Sequence, residues 1–224
     1  MSTLYVVATP IGNLQDLSER AKTTLASVDV VLCEDTRVTK KLLDAYGISV
    51  QTLSYHQHSA QSKTSEIYAL LEQGKNLALV TDAGTPTISD PGGRLVEELV
   101  NHFGDQLKIV PIPGPSAIIS ALSVSGFPAD EFLFLGFPPN KKGRQTYFDR
   151  VAKVESTVVF YESTHRIFKT LDELHARCPD RSIMVGRELT KMYESLYRGT
   201  ASEVTEQLKS TSIKGEFVLV IRSL

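Results

Sequence analysis

The sequence predicts an α/β protein of two domains, the first built on a mostly parallel sheet and the second on a mixed one. Three observations carry that prediction. Short apolar runs alternate with amphipathic helical stretches through the first half of the chain. Loops rich in glycine and proline leave several of those runs. Past residue 128 strand-like runs begin to follow one another directly, as over 182–199, which suits an α+β domain with a mixed sheet.

Taken in order, strands are expected over 4–8, 28–33, 50–55, 77–80 and 107–112, where apolar and β-branched residues concentrate. Between them, helices are expected over 18–26, 36–46, 62–73 and 94–103. Gly47 and Gly74 stand where a helix ends most cheaply, in the left-handed region. Pro113-Gly114-Pro115 then breaks the chain before an apolar helix over 117–124. Strands follow at 132–136, 157–161, 182–187, 194–199 and 217–221, with helices at 146–152, 164–177 and 202–209. Turn-rich Ser125-Gly126-Phe127-Pro128 is the best boundary by composition. The division adopted is 1–115 for the N-terminal α/β domain and 116–224 for the C-terminal α+β domain.

The 224 residues suffice for two modest cores, and 42% apolar with 22% charged residues is ordinary for a soluble globular chain. A net charge of −2 excludes nucleic-acid binding by bulk electrostatics and leaves local basic patches open. Cys33 and Cys178 stand far apart without metal-ligand spacing, which points to a reducing, cytoplasmic setting. No apolar run is long enough for a membrane span, and the first residues lead into a strand without a signal peptide.

The most informative stretch is Asp82-Ala83-Gly84-Thr85-Pro86-Thr87-Ile88-Ser89-Asp90-Pro91-Gly92-Gly93, between a buried strand and an amphipathic helix. Open α/β sheets bind ligands beyond the carboxyl ends of their strands. Gly84, Gly92 and Gly93 allow close backbone approach, while Pro86 and Pro91 push Thr85 and Asp90 toward extended geometry. The competing reading is a tight turn with capping residues. Thr9-Pro10-Ile11-Gly12-Asn13-Leu14 leaves the first strand where a nucleotide loop belongs. It lacks G-x-G-x-x-G, and the chain has no P-loop, so dinucleotide and triphosphate readings are poorly supported. Pro113-Gly114-Pro115-Ser116-Ala117 enters a helix whose free N–H groups suit a carboxylate or ring nitrogen, or Ser116 is a plain N-cap.

Cys33-Glu34-Asp35-Thr36-Arg37 sets two carboxylates and a guanidinium at a strand end. Asp35 could cap the helix with Arg37 as its ion-pair partner. Alternatively Glu34 or Asp35 positions or deprotonates a hydroxyl while Arg37 grips a phosphate. Tyr161 to Arg166 and Arg187 to Lys191 could line a polar cleft. His165 stands alone, and His56-Gln57-His58 lacks a nearby third ligand, so a metal reading is weak. Pro138-Pro139-Asn140-Lys141-Lys142-Gly143-Arg144 is the compact basic loop, a solvated surface or a phosphate contact.

Ala8 to Leu14, Cys33 to Arg37, Asp82 to Gly92, Pro113 to Ala117, Tyr161 to Arg166, Arg187 to Lys191 and Lys214-Gly215-Glu216 occur in one order, from Leu4 to Arg222. Together they resemble the tetrapyrrole methylase superfamily and, within it, the family of ribosomal RNA small-subunit methyltransferases I. The resemblance implies two α/β domains with the S-adenosyl-L-methionine cleft between them, usually in a homodimer. It implies methyl transfer to the ribose 2′-hydroxyl of a cytidine in the decoding region of 16S rRNA. Carried over by motif, Pro10 borders the methionine end of the cofactor. Gly84, Thr85, Pro86 and Ile88 fill its main loop, Ser116 and Ala117 the second loop, and Tyr161 and Gly215 flank the adenosine. Thr85 replaces an aspartate of tetrapyrrole-modifying relatives, so that contact differs or is lost. Family members usually run past the Gly-Glu strand into a short extension, whereas this sequence stops at Leu224. The expectation is a complete cofactor site with reduced RNA affinity.

A sulfonium donor needs no metal or covalent intermediate, but it needs alignment, exclusion of water and a proton acceptor. Glu34 or Asp35 is expected to help accept the proton, with Arg37 beside them holding an rRNA phosphate. Lys141, Lys142, Arg144, Arg166 and Lys191 are expected to hold rRNA phosphates. The acceptor is then a folded or assembled small subunit, since one basic loop gives little affinity for naked strands. Competing readings are a superfamily methylase acting on a tetrapyrrole or a protein side chain, and a non-catalytic module that binds S-adenosylmethionine or RNA. A nicotinamide oxidoreductase ranks below both.

Overall fold

Alternating apolar side chains divide the first sheet between two cores. The computed structural model of the chain describes residues 1–55, 61–90 and 92–224, without the side chains of Gln61 and Ser62. It divides into Met1–Ser116 and Ala117–Leu224. In the first unit β1 (Ser2–Val7), β2 (Val30–Cys33), β3 (Gln51–Ser54), β4 (Leu77–Leu79) and β5 (Leu107–Ile112) form a sheet of order β3-β2-β4-β1-β5. Every pairing in it is parallel. Leu77 and Leu79 face one core with Leu95 and Leu99, while Ala78 and Val80 face the other with Ala21, Leu25 and Leu43. Helices α1 (Glu19–Ser27) and α2 (Thr36–Ala45) therefore cover one face, and α3 (Gln61–Glu72) and α4 (Gly93–Phe103) the other. Burying Leu95 and Leu99 completely is worth about 1.5–3 kcal/mol each. The loops that leave these parallel strands emerge at one edge, which is how the dispersed segments after β1, β2, β4 and β5 become neighbours.

The second unit begins with α5 (Ala117–Ser125), followed by β6 (Phe132–Phe134), α6 (Arg144–Lys153), β7 (Thr157–Ser163), α7 (Ile167–Arg177), β8 (Ile183–Arg187), β9 (Ser195–Gly199), α8 (Ala201–Lys209) and β10 (Glu216–Ile221). Its sheet has order β6-β7-β10-β8-β9, with β6 parallel to β7 and the other pairs antiparallel. The mixed sheet is thus as expected. Phe148, Phe160, Leu171, Val204 and Leu219 form its core with α6, α7 and α8. Because α5 packs against β7 and β10, Ser125 to Pro128 lies inside this unit and marks no boundary.

Strand β7 runs to Ser163, two residues beyond the expected end, and α7 starts at Ile167 instead of 164. The cause is pairing with β10, which reaches Ser163↔Glu216 and keeps the backbone extended. Among the described residues no helix is long and apolar enough to cross a membrane.

Candidate active site

Four loops meet beyond the carboxyl ends of the first sheet. Thr9, just past β1, exchanges two backbone hydrogen bonds with Gly84, N–H to O at 2.9 and 3.1 Å. The Thr9 hydroxyl donates to the Thr81 carbonyl at 3.0 Å, and the Thr85 hydroxyl donates to the Pro115 carbonyl at 3.2 Å. Gly114 passes so close to β1 that a Cβ would stand 3.1 Å from that of Ala8. Gly92, at φ +119°, would set a Cβ 2.9 Å from Leu79. The loops after β1, β4 and β5 are therefore fastened mainly through backbone. Pro10, Gly84, Thr85, Pro86, Ile88 and Ser116 are thereby placed along one strand edge, with Ile88 exposed and Gly84 and Pro86 buried. Pro91 lies outside the described residues.

The same loop holds Thr87 at φ 75° and Ser89 at φ 66°. A β-branched residue there is costly and persists only where its surroundings enforce it, a pattern that clusters at ligand sites. Such stiff backbone and close-approaching glycines suit a site where a ligand meets main-chain groups.

Beside it, the loop after β2 opens a cleft of ≈ 470 Å³ lined by Glu34, Asp35, Thr36, Arg37, Ser54 and Asp82. Asp35 is the N-cap of α2, and its Oδ1 accepts the Arg37 N–H at 2.8 Å. Its carboxylate also takes the Arg37 guanidinium, at 3.0 Å from Nε and 2.6 Å from Nη2. The capping arrangement is thus present. Arg37 holds the Asp35 carboxyl down at about 2, through its side chain first and its backbone N–H second. The Asp35 N–H in turn donates to Asp82 Oδ1 at 3.3 Å. Burial raises Asp82 despite that hydrogen bond.

Asp90 escaped the sequence reading as a site residue. Burial pushes its carboxyl up to about 6 against a hydrogen bond from Thr81, and the charges of Glu34 and Asp82 add to the rise. The hint available in sequence was an aspartate ahead of Pro-Gly-Gly in a loop already suspected. The cleft thus holds one firmly ionised carboxylate, Asp35, while Asp90, on the loop after β4, is raised to about 6 and feels the charges of Glu34 and Asp82.

The other expected residues lie in the second unit. Ala117 opens α5. Tyr161 is half-buried, its ring centroid 5.2 Å from those of Phe134 and Phe137. Gly215, at φ +128°, donates to the Thr164 hydroxyl at 2.9 Å, and a Cβ there would strike Glu188 at 2.5 Å. Glu188 and Thr190 also have positive φ, 52° and 67°. Lys191 bridges Glu188 at 2.9 Å and Glu216 at 2.8 Å, which commits its ammonium within the protein.

Lys141 and Lys142 are exposed, as a phosphate-contacting loop requires. Arg144 departs from its expected place on that surface. It is 3% exposed, donates to Thr170 Oγ1 at 2.7 Å and lies 3.7 Å from Glu162. A carboxylate buried on β7 draws it inward. Arg166 is half-buried on the same carboxylate, 2.8 Å away. His165 is exposed, and His56-Gln57-His58 lies outside the described residues. Among the described residues no group of three His, Cys, Asp or Glu is arranged to hold a metal ion.

Known proteins place this architecture. A family model described as Tetrapyrrole (Corrin/Porphyrin) Methylases matches residues 3–205. The chain is 45% identical over 222 residues to the ribosomal RNA small subunit methyltransferase I of Bacillus subtilis (strain 168), covering 99% of this chain and 75% of that protein. The chain belongs to this family. Its S-adenosylmethionine-dependent methyltransferase character follows from that membership. The Thermotoga maritima member is 40% identical over 221 residues, 99% of this chain and 98% of its own length. Among solved structures, a cobalt precorrin-4 methyltransferase superposes with a TM-score of 0.71 at 17% identity, covering 98% of this chain and 94% of that one. A uroporphyrin-III C-methyltransferase of Thermus thermophilus, complexed with S-adenosylhomocysteine, gives 0.66 at 16%, covering 98% and 97%. At such identities the structures show that the fold is shared.

Proposed function

We propose that the protein methylates the ribose 2′-hydroxyl of a cytidine in the decoding region of 16S rRNA, within the small ribosomal subunit. The observation that carries this reading is near-full-length identity of 40–45% to proteins named ribosomal RNA small subunit methyltransferase I. When bound, S-adenosyl-L-methionine supplies an activated methyl group. Pro10, Gly84, Thr85, Pro86, Ile88 and Ser116 in the first unit, and Ala117, Tyr161 and Gly215 in the second, would hold it. The backbone stitching of Thr9 to Gly84 fixes the first set in advance, so little freedom is lost when a ligand arrives.

The Asp35–Arg37 pair orients the acceptor, and Glu34 accepts its proton. Asp35 is a poor base, since a carboxylate held at about 2 has little affinity for a proton. Lys141 and Lys142 meet phosphates. Arg144, Arg166 and Lys191, already paired within the second unit, leave that role to them. The reading includes a cytoplasmic homodimer; Ile119 and Val124, exposed on α5, are apolar surface that a second copy would cover, and sedimentation at graded concentration tests it.

The deciding experiment is transfer of labelled methyl to small subunits lacking ribose methylation, with naked rRNA alongside. Label on a ribose 2′-oxygen is expected, with the assembled subunit the better acceptor. Measurable cofactor affinity without label on either acceptor would sink the reading.

A further inference from the structure

Beneath the basic loop lies an ion network that the proposed reaction leaves unused. Glu162 is 1% exposed on β7. Its Oε2 accepts the Thr170 hydroxyl at 2.6 Å, and its Oε1 lies 2.8 Å from Arg166 Nε. Arg144 reaches the same carboxylate at 3.7 Å and the same threonine at 2.7 Å, its guanidinium 4.9 Å over the Phe148 ring. Both arginines then extend to the loop. Arg166 Nη1 donates to the Pro138 carbonyl at 2.9 Å and to the Asn140 side chain, and Arg144 Nη1 donates to the Pro139 carbonyl at 3.3 Å. One buried carboxylate thus fastens three consecutive residues immediately before Lys141 and Lys142.

Burying two guanidiniums against a single carboxylate is an expensive way to hold a turn, because desolvation offsets much of the Coulomb attraction. Its return is order at a defined place, with an excess positive charge beneath the loop. A lysine presented from rigid backbone loses less freedom when it meets an anion, and the field below it favours the same ligand.

We infer that Arg144 and Arg166, keyed by Glu162, are positioning residues that set the 138–143 loop so that Lys141 and Lys142 meet adjacent phosphates of the RNA. The inference rests on the RNA reading above. Arg144→Lys and Arg166→Lys test it, with a Lys141→Ala/Lys142→Ala double variant as reference. Both arginine variants are expected to speed hydrogen exchange over 138–143 and to raise KM for small subunits by about tenfold. Their kcat and cofactor affinity should stay within about twofold of the parent. Arg166, with its side chain 21% exposed, keeps the test open should Arg144→Lys fold poorly. Wild-type KM in both arginine variants, alongside a raised KM in the double variant, would overturn the positioning role alone. A silent double variant would overturn the RNA reading of this loop and the inference with it.

Discussion

The loop after β4 is fastened by its backbone, whereas the loop before α6 is fastened by buried charge. In the first, Thr9 and Gly84 share a bridge, and glycines let neighbouring strands approach. In the second, two guanidiniums hang from Glu162 and grip carbonyl oxygens. The difference teaches where each is vulnerable. Backbone fastening fails when a Cβ is added, and charge fastening fails when one partner is removed.

The largest effect should come from Glu162→Ala, which strands two arginines. A loss of about 3–5 kcal/mol is expected in denaturant unfolding followed within the second unit. A loss under about 1 kcal/mol would mean that solvent already screens the network. Gly92→Ala should cost about 2–3 kcal/mol, since the new Cβ meets Leu79 at 2.9 Å and φ is positive. Calorimetry should also show S-adenosylmethionine binding weakened by about tenfold or more; unchanged affinity would detach this end of the loop from the cofactor.

Asp90→Asn should act in the opposite direction. The folded protein raises this carboxyl to about 6, so it favours the protonated form, and the stability that this contributes is lost as pH climbs through 6. Asparagine removes the charge, and the variant should be more stable than the parent by about 1–2 kcal/mol at pH 8, after allowance for solvent screening. The advantage should vanish toward pH 4. Equal melting at both pH values would show that Asp90 is solvated. The smallest effect is expected from Thr85→Ala, about 0.5–1.5 kcal/mol, because its hydroxyl serves the Pro115 carbonyl. With the hydroxyl so engaged Thr85 would meet the cofactor through its backbone, so cofactor affinity should move less than threefold; a larger drop would put the hydroxyl itself on the cofactor.

Much of the first unit was legible because parallel strands buried on both faces read as apolar runs, and glycines such as Gly47 end helices where φ turns positive. The family motifs were legible as an ordered set. Arg144 was misplaced because a run of Lys, Lys, Gly and Arg looks uniformly solvated, and its buried partner is 18 residues away in sequence. Strand alternation did carry a warning: Glu162 is two residues from Phe160 and so shares its inward face. Asp90 was missed for another reason. Its displaced titration comes first from burial and then from the charges of Glu34 and Asp82, and neither the burial nor the approach of Glu34, 56 residues away, is written in the local pattern.

Strand β10 lies at the middle of the second sheet, between β7 and β8, though it follows every other described strand in the chain. During synthesis β7 and β8 therefore leave the ribosome long before the strand that joins them. Until residues 216–221 emerge, two hydrophobic strands have open edges, the form in which chains pair with the wrong neighbour. The first sheet, by contrast, has all its strands once residue 112 is out. The nascent chain is thus exposed in one half more than the other, and chaperone demand in its biogenesis should concentrate on the second unit.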